Sequence, residues 1–182
     1  RTVTPNATED PVVLLEGGDA VTTAFKQAGL LSLAAITVLL LIVLKSVTDT
    51  LLVLFPLALA TVFTASSSVI FGIPFNFANV IAIPLLLSLG VAYGLYLVLR
   101  ERSVESIADV MTTSTPRAIL FSALTTMCSF GTLAISSHLG TASMGQLLTI
   151  SLALALVCTL VVLPCLLACR KRYFPRTRGS GT

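Results

Sequence analysis

The sequence predicts an all-α membrane protein with five transmembrane helices, and three observations predict it. The first is composition: 55% of the 182 residues are hydrophobic and only 10% are charged, where soluble domains carry about 25% charge. Mean hydropathy is +1.00. The second is segment length. Apolar runs near 20 residues, the length that crosses a bilayer as a helix, recur along the chain. The third is the placement of basic residues, which fall almost entirely on one side once the runs are threaded alternately across a membrane.

Residues 1–18 are polar apart from a β-like run, Pro11-Val12-Val13-Leu14-Leu15, that stops at Gly17-Gly18. They read as the end of a domain outside the membrane. The chain opens at Arg1 without an initiator methionine, so a fragment of a larger protein is expected. Asp19 is placed to cap the helix that follows. A five-span domain is expected over 19–172, with spans at about 30–44, 50–71, 76–99, 117–137 and 144–169. Lys45-Ser46-Val47-Thr48-Asp49 makes a polar turn after the first span, and Pro56 falls within the second. Gly72-Ile73-Pro74 breaks the chain before the third.

The longest polar connection follows. In it Val104, Ile107, Ala108 and Met111 recur at helical spacing, which predicts an amphipathic surface helix at about 101–112. Thr115-Pro116 signals the next helix start. Ser137-His138-Leu139-Gly140 turns into the last span, and residues 173–182 form a basic tail. A soluble bundle is excluded because these helices have almost no polar face, and so short a chain cannot surround five of them with protein.

The alternation places Lys45, Arg100, Arg102, Arg117, Arg170, Lys171, Arg172, Arg176 and Arg178 on one side, and only Arg1 and Lys26 on the other. Basic residues mark the cytoplasmic face of short loops. The N-terminal end is therefore expected outside, in the periplasm, and the tail in the cytoplasm. The acidic residues divide evenly between the sides.

No Asp, Glu, Lys or Arg falls in the middle of a span. An ionisable residue at membrane depth marks an ion or proton pathway, so these helices carry no complete proton relay of their own. Span three holds Pro84, which is expected to bend the helix. It also holds Gly90 and Gly94, whose G-x-x-x-G spacing suits close helix packing. In span four, Ser122, Thr125, Ser129 and Thr132 recur on one helical face. They are candidates for a proton or water path, as a polar face turned toward span three, and the plainer reading is back-bonding to the preceding turn. Cys128, Cys158, Cys165 and Cys169 lie in apolar runs without C-x-x-C spacing and read as small buried residues. His138 reads as a surface or capping histidine. No nucleophile–base pair, metal cluster or phosphate loop is present in the pattern, so no catalytic residue, metal, cofactor or nucleic-acid partner is expected, and the protein is not expected to be an enzyme.

The run from Asn79 through Pro84, Gly90, Ala92 and Tyr93 to Gly94 resembles the central transmembrane motif of RND-superfamily transporters of the MMPL class. Ser122 to Leu133 resembles the next helix of that motif, and Gly145 to Leu167, with Leu163-Pro164, resembles its last. The five spans resemble helices two to six of one RND repeat, a sterol-sensing-like unit. Phe71 to Ile81 and Ser136 to Gly145 resemble the C-terminal half of the subfamily associated with hopanoid biosynthesis. This resemblance implies half of a proton-driven exporter that moves hopanoid-like lipids from the bacterial inner membrane toward the outer membrane. It implies as partners the N-terminal half of the same chain, membrane lipids and a second copy in a homodimer. Many MMPL-class members have Asp where this chain has Ala92, so a proton-carrying role does not transfer to that position. A sterol-sensing-like module that binds lipid without transporting it is the alternative.

Overall fold

The computed structural model describes residues 9–73, 82–104 and 106–173, and among them it is helical throughout, without strands. Helix α1 is Glu9–Leu44, α2 Val47–Ile70, α3 Ala82–Glu101, α4 Ile107–Thr112, α5 Ser114–Leu133 and α6 Leu139–Val157; a π-turn, Cys158–Val162, joins α6 to α7, Leu163–Tyr173.

The expected β-like run at Pro11–Leu15 lies inside α1, and so do Gly17, Gly18 and Asp19. The expected terminator and cap are overruled there. Each glycine costs a helix about 1 kcal/mol against alanine, which weakens a helix without ending it. Arg1 to Thr8, Asn76 and Asn79 lie outside the described residues, as does the tail beyond Tyr173.

Four segments are long and apolar enough to cross a membrane: Gln27–Leu44, Val47–Ile70, Pro84–Glu101 and Leu139–Lys171. The fourth expected span is present as α5 but is not among them, because its serines and threonines dilute its apolar content. Its 20 residues make a rod of about 30 Å.

The local reasons for the breaks are legible in the chain. Lys45 takes a left-handed conformation (φ 49°), the geometry that ends many helices, and its N–H bonds back to the Leu41 carbonyl at 2.9 Å. Ser46 then caps α2, accepting from the Asp49 N–H at 3.3 Å. The C-terminal end of α2 closes through Gly72 (φ 62°), and the Ser68 hydroxyl donates to the Ile73 carbonyl at 2.6 Å.

The surface helix is shorter than expected. Helix α3 runs to Glu101, and α4 begins only at Ile107, behind a capping box made by Ser106 and Asp109. Its buried residue is Val110, while Met111 of the predicted apolar stripe is exposed. Val104 and Ile107 still pack on the core. Helix α5 starts at Ser114 with Thr113 as cap, so Pro116 is its third residue.

The core lies between α1, α2, α3 and α7. Leu40, Leu44, Val53, Leu57, Val91, Leu97, Leu163 and Leu167 meet there, with Ile119 and Ala123 reaching in from α5. Outside it, Leu30, Leu31, Ile42, Val62, Val69 and Phe121 stand exposed. An apolar exterior of this extent suits hydrocarbon rather than water.

Candidate functional site

Two stripes on α3 divide its surface. Gly90 and Gly94 are buried against α2. A Cβ on Gly90 would meet Leu57 Cδ1 at 2.5 Å, and one on Gly94 would meet Val53 Cγ1 at 2.8 Å. The missing side chains are what let these helices approach. Ser88 and Tyr96 are exposed on another stripe, with half-buried Ala92 between them at four-residue spacing. Pro84 is half-buried near the start of the described part of α3.

Between the stripes, Tyr93 turns inward. Its ring is buried, and its hydroxyl lies beside Ser122 and Thr126 of α5 without a partner in hydrogen-bond geometry.

Beyond Ser122, the polar stripe of α5 does not meet α3 as expected. Ser122, Thr125, Ser129 and Thr132 are all exposed. The Thr125 hydroxyl donates to the Phe121 carbonyl at 2.9 Å, that of Ser129 to Thr125 at 2.9 Å, and that of Thr132 to Ser129 at 2.7 Å. The reason is that α5 turns Ile119 and Ala123 into the core and pairs closely with α6. A Cβ on Gly145 would stand 2.5 Å from the Ala134 nitrogen and 2.8 Å from the Leu133 carbonyl carbon. This close antiparallel hairpin rotates the hydroxyls outward. The resulting surface of α5 mixes exposed apolar side chains, Leu120, Phe121 and Leu124, with a hydroxyl stripe in which Thr125, Ser129 and Thr132 bond to their own backbone.

The end of the bundle at the α1–α2 turn holds what sequence reasoning missed. Asp49, expected in a polar turn, is fully buried in the first turn of α2. Arg102 donates to its Oδ2 at 2.6 Å, and Arg170 pairs with its Oδ1. Arg170 also reaches Glu101 Oε2 at 2.8 Å, and Lys171 reaches Oε1 at 3.2 Å. A carboxylate at N3 further gains from the helix dipole. The only sequence signal was an acid next to a basic-inside loop, and nothing in linear spacing joins residues 53 and 121 positions apart.

Of the cysteines, Cys158 is buried, while Cys128, Cys165 and Cys169 are exposed on the apolar exterior rather than buried as expected. Hydrocarbon accepts a thiol there as readily as a core does. His138 is an exposed helix cap without a side-chain cap bond. No group of three or more metal-ligating side chains occurs among the described residues.

Comparison with known proteins fits this architecture. The model of the MMPL family matches residues 10–180. The hopanoid transporter HpnN of Rhodopseudomonas palustris (strain TIE-1) is 45% identical over 163 residues, covering 90% of this chain and 18% of that protein. The hopanoid transporter HpnN of Burkholderia multivorans (strain ATCC 17616 / 249) is 41% identical over 157 residues, covering 86% of this chain and 17% of that protein. The chain thus spans less than a fifth of the length of these relatives. With a family match over nearly its whole length, and apolar helices long enough to cross a bilayer several times, the chain belongs to the MMPL family and is a multi-pass membrane protein.

Proposed function

We propose that the chain is one membrane-embedded half of a proton-driven RND exporter that moves hopanoids or similar lipids from the bacterial inner membrane toward the outer membrane. The observation that carries the reading is the 45% and 41% identity to two hopanoid transporters across nearly all of the chain. On this reading it is not an enzyme, and it works with the N-terminal half of the same polypeptide in a homodimer.

The helices cross the inner membrane five times, with the N-terminal end periplasmic and the tail cytoplasmic. Support for the fifth crossing comes from the ion pairs. Glu101 and Arg102 at the end of α3 share a cluster with Arg170 near the end of α7. The chain must therefore return to the outer side between Arg102 and Leu139, and α5 has the length of the roughly 30 Å hydrocarbon layer to do so.

The exposed hydroxyl stripe Ser122, Thr125, Ser129 and Thr132 belongs, on this reading, to the proton or water path, completed by the other half of the exporter. Ala92 cannot carry a proton, so the carboxylate comes from that other half. Tyr93, with its unpartnered hydroxyl, stands next to the path. Pro84, Gly90 and Gly94 shape and pack the helix that lines it.

The test is deletion of the whole gene followed by measurement of hopanoid in separated inner and outer membranes. Depletion from the outer membrane is expected, with rescue by the intact gene. Unchanged outer-membrane hopanoid would sink the transport reading and favour a lipid-sensing module.

A further inference from the structure

The charge cluster ties together four helix ends. Asp49 opens α2, Glu101 and Arg102 close α3, and Arg170 and Lys171 lie in the last turn of α7. Arg102 also donates to the Leu44 carbonyl at 2.5 Å, which brings in the end of α1. None of these five charged groups lies on the α5–α6 hairpin.

That hairpin is joined to α7 through the π-turn Cys158–Val162. π-turns within α-helices are rare and locally loosen the backbone ladder. Pro164, just beyond it, has no N–H to return to the preceding turn. The α6–α7 rod is therefore least firmly bonded between the hairpin and the charge cluster. Where α6 crosses α3, Ala155 faces Gly90, where a Cβ would lie 3.9 Å from its own, and Leu147, Leu148 and Leu152 of α6 are fully buried around it. Packed helices can still shear past one another by small sliding movements.

We propose that the charge cluster is a fixed pivot and the π-turn its hinge. The inner ends of α1, α2, α3 and α7 stay together as one body, and the α5–α6 hairpin tilts against them as the exporter cycles. The proposal rests on the transporter reading, because a pivot requires something that moves.

Spin-label distances in the full-length protein, reconstituted in vesicles with and without a proton gradient, test it. One pair of labels sits at the inner end, at Thr48→Cys and Arg100→Cys. The other sits at the outer end, at Phe71→Cys and His138→Cys. All four positions are exposed. The inner distance is expected to hold, while the outer distance shifts on the order of 5 Å, the scale of a one-turn helix movement. Hydrogen exchange of the same protein supplies a readout that needs no transport: amides of the π-turn are expected to exchange about tenfold faster than those of α6. Arg102→Met, which keeps the pairing of Asp49 with Arg170, is expected to broaden the inner distance. An inner distance that changes with the gradient, an outer distance that does not, or a π-turn as protected as α6 would each overturn the pivot. The transport reading fails separately, on unchanged hopanoid distribution in the deletion strain.

Discussion

Three glycines in tight contacts face neighbours of different stiffness, and that difference predicts an order. At Gly90 the obstructing atom is the end of the Leu57 side chain, which can rotate away. Alanine there also gains about 1 kcal/mol of helix propensity, so Gly90→Ala is expected to be nearly neutral. At Gly94 the obstacle is Val53, a β-branched residue with little χ1 freedom; a loss of about 1 kcal/mol is expected. At Gly145 it is backbone, the Ala134 nitrogen and Leu133 carbonyl carbon, which cannot step aside; a loss of about 2–3 kcal/mol is expected. Thermal unfolding of the three variants in one detergent checks the ranking, and Gly145→Ala as the mildest would refute it. The G-x-x-x-G pair is legible in the sequence because small-residue spacing is itself a packing signal. Gly145 is not, since the backbone it touches is brought near only by the α5–α6 turn. Asp49 is legible as an acid in a polar turn but not as a buried one. Its partners come from distant helices, and linear spacing carries no record of them.

At the scale of elements, the charge cluster should respond unequally to its members. Arg170 is nearly buried and bonds both carboxylates. Arg170→Gln leaves Asp49 and Glu101 short of a cation, and a loss of about 3 kcal/mol is expected from breaking a buried pair. Lys171 is about one-third exposed, so Lys171→Gln is expected to cost less than about 1 kcal/mol. Equal losses in a denaturation series would show that the network does not distinguish them. Apolar run length is what makes the helices readable, and α2 and the α6–α7 rod follow it closely. The differences fall where a local cue competes with continuity. Gly17-Gly18 has the composition of an end, and the helical repeat in 101–112 has the spacing of a single helix. The face of α5 differs for another reason: periodicity defines a stripe but not its direction, and the hairpin with α6 fixes that direction.

For the whole molecule, the proposed five-crossing arrangement makes a prediction about sidedness. A cysteine at His138 is expected to react with a membrane-impermeant thiol reagent added from the periplasm, and one at Lys45 only after the membrane is opened. Both side chains are exposed. Labelling of His138→Cys only from the cytoplasm would mean that α5 does not cross and would reverse the direction of α6 and α7. The alternation of basic residues is what predicts this arrangement from the sequence, because charge bias acts on whole loops and tolerates errors of a few residues at each boundary.

The Asp49 carboxylate also sets a timetable for synthesis. It enters the membrane region with α2, yet Arg170 follows it by 121 residues. At ribosomal rates of about 5–20 residues per second, roughly 6 to 24 seconds pass before that cation exists. Arg102 arrives earlier, 53 residues after Asp49, and is the first of the two arginines able to pair with it. A nascent chain stopped after α5 therefore carries an incompletely neutralised acid at the start of α2. Such truncated chains are expected to be degraded faster in a pulse-chase than the same chains carrying Asp49→Leu.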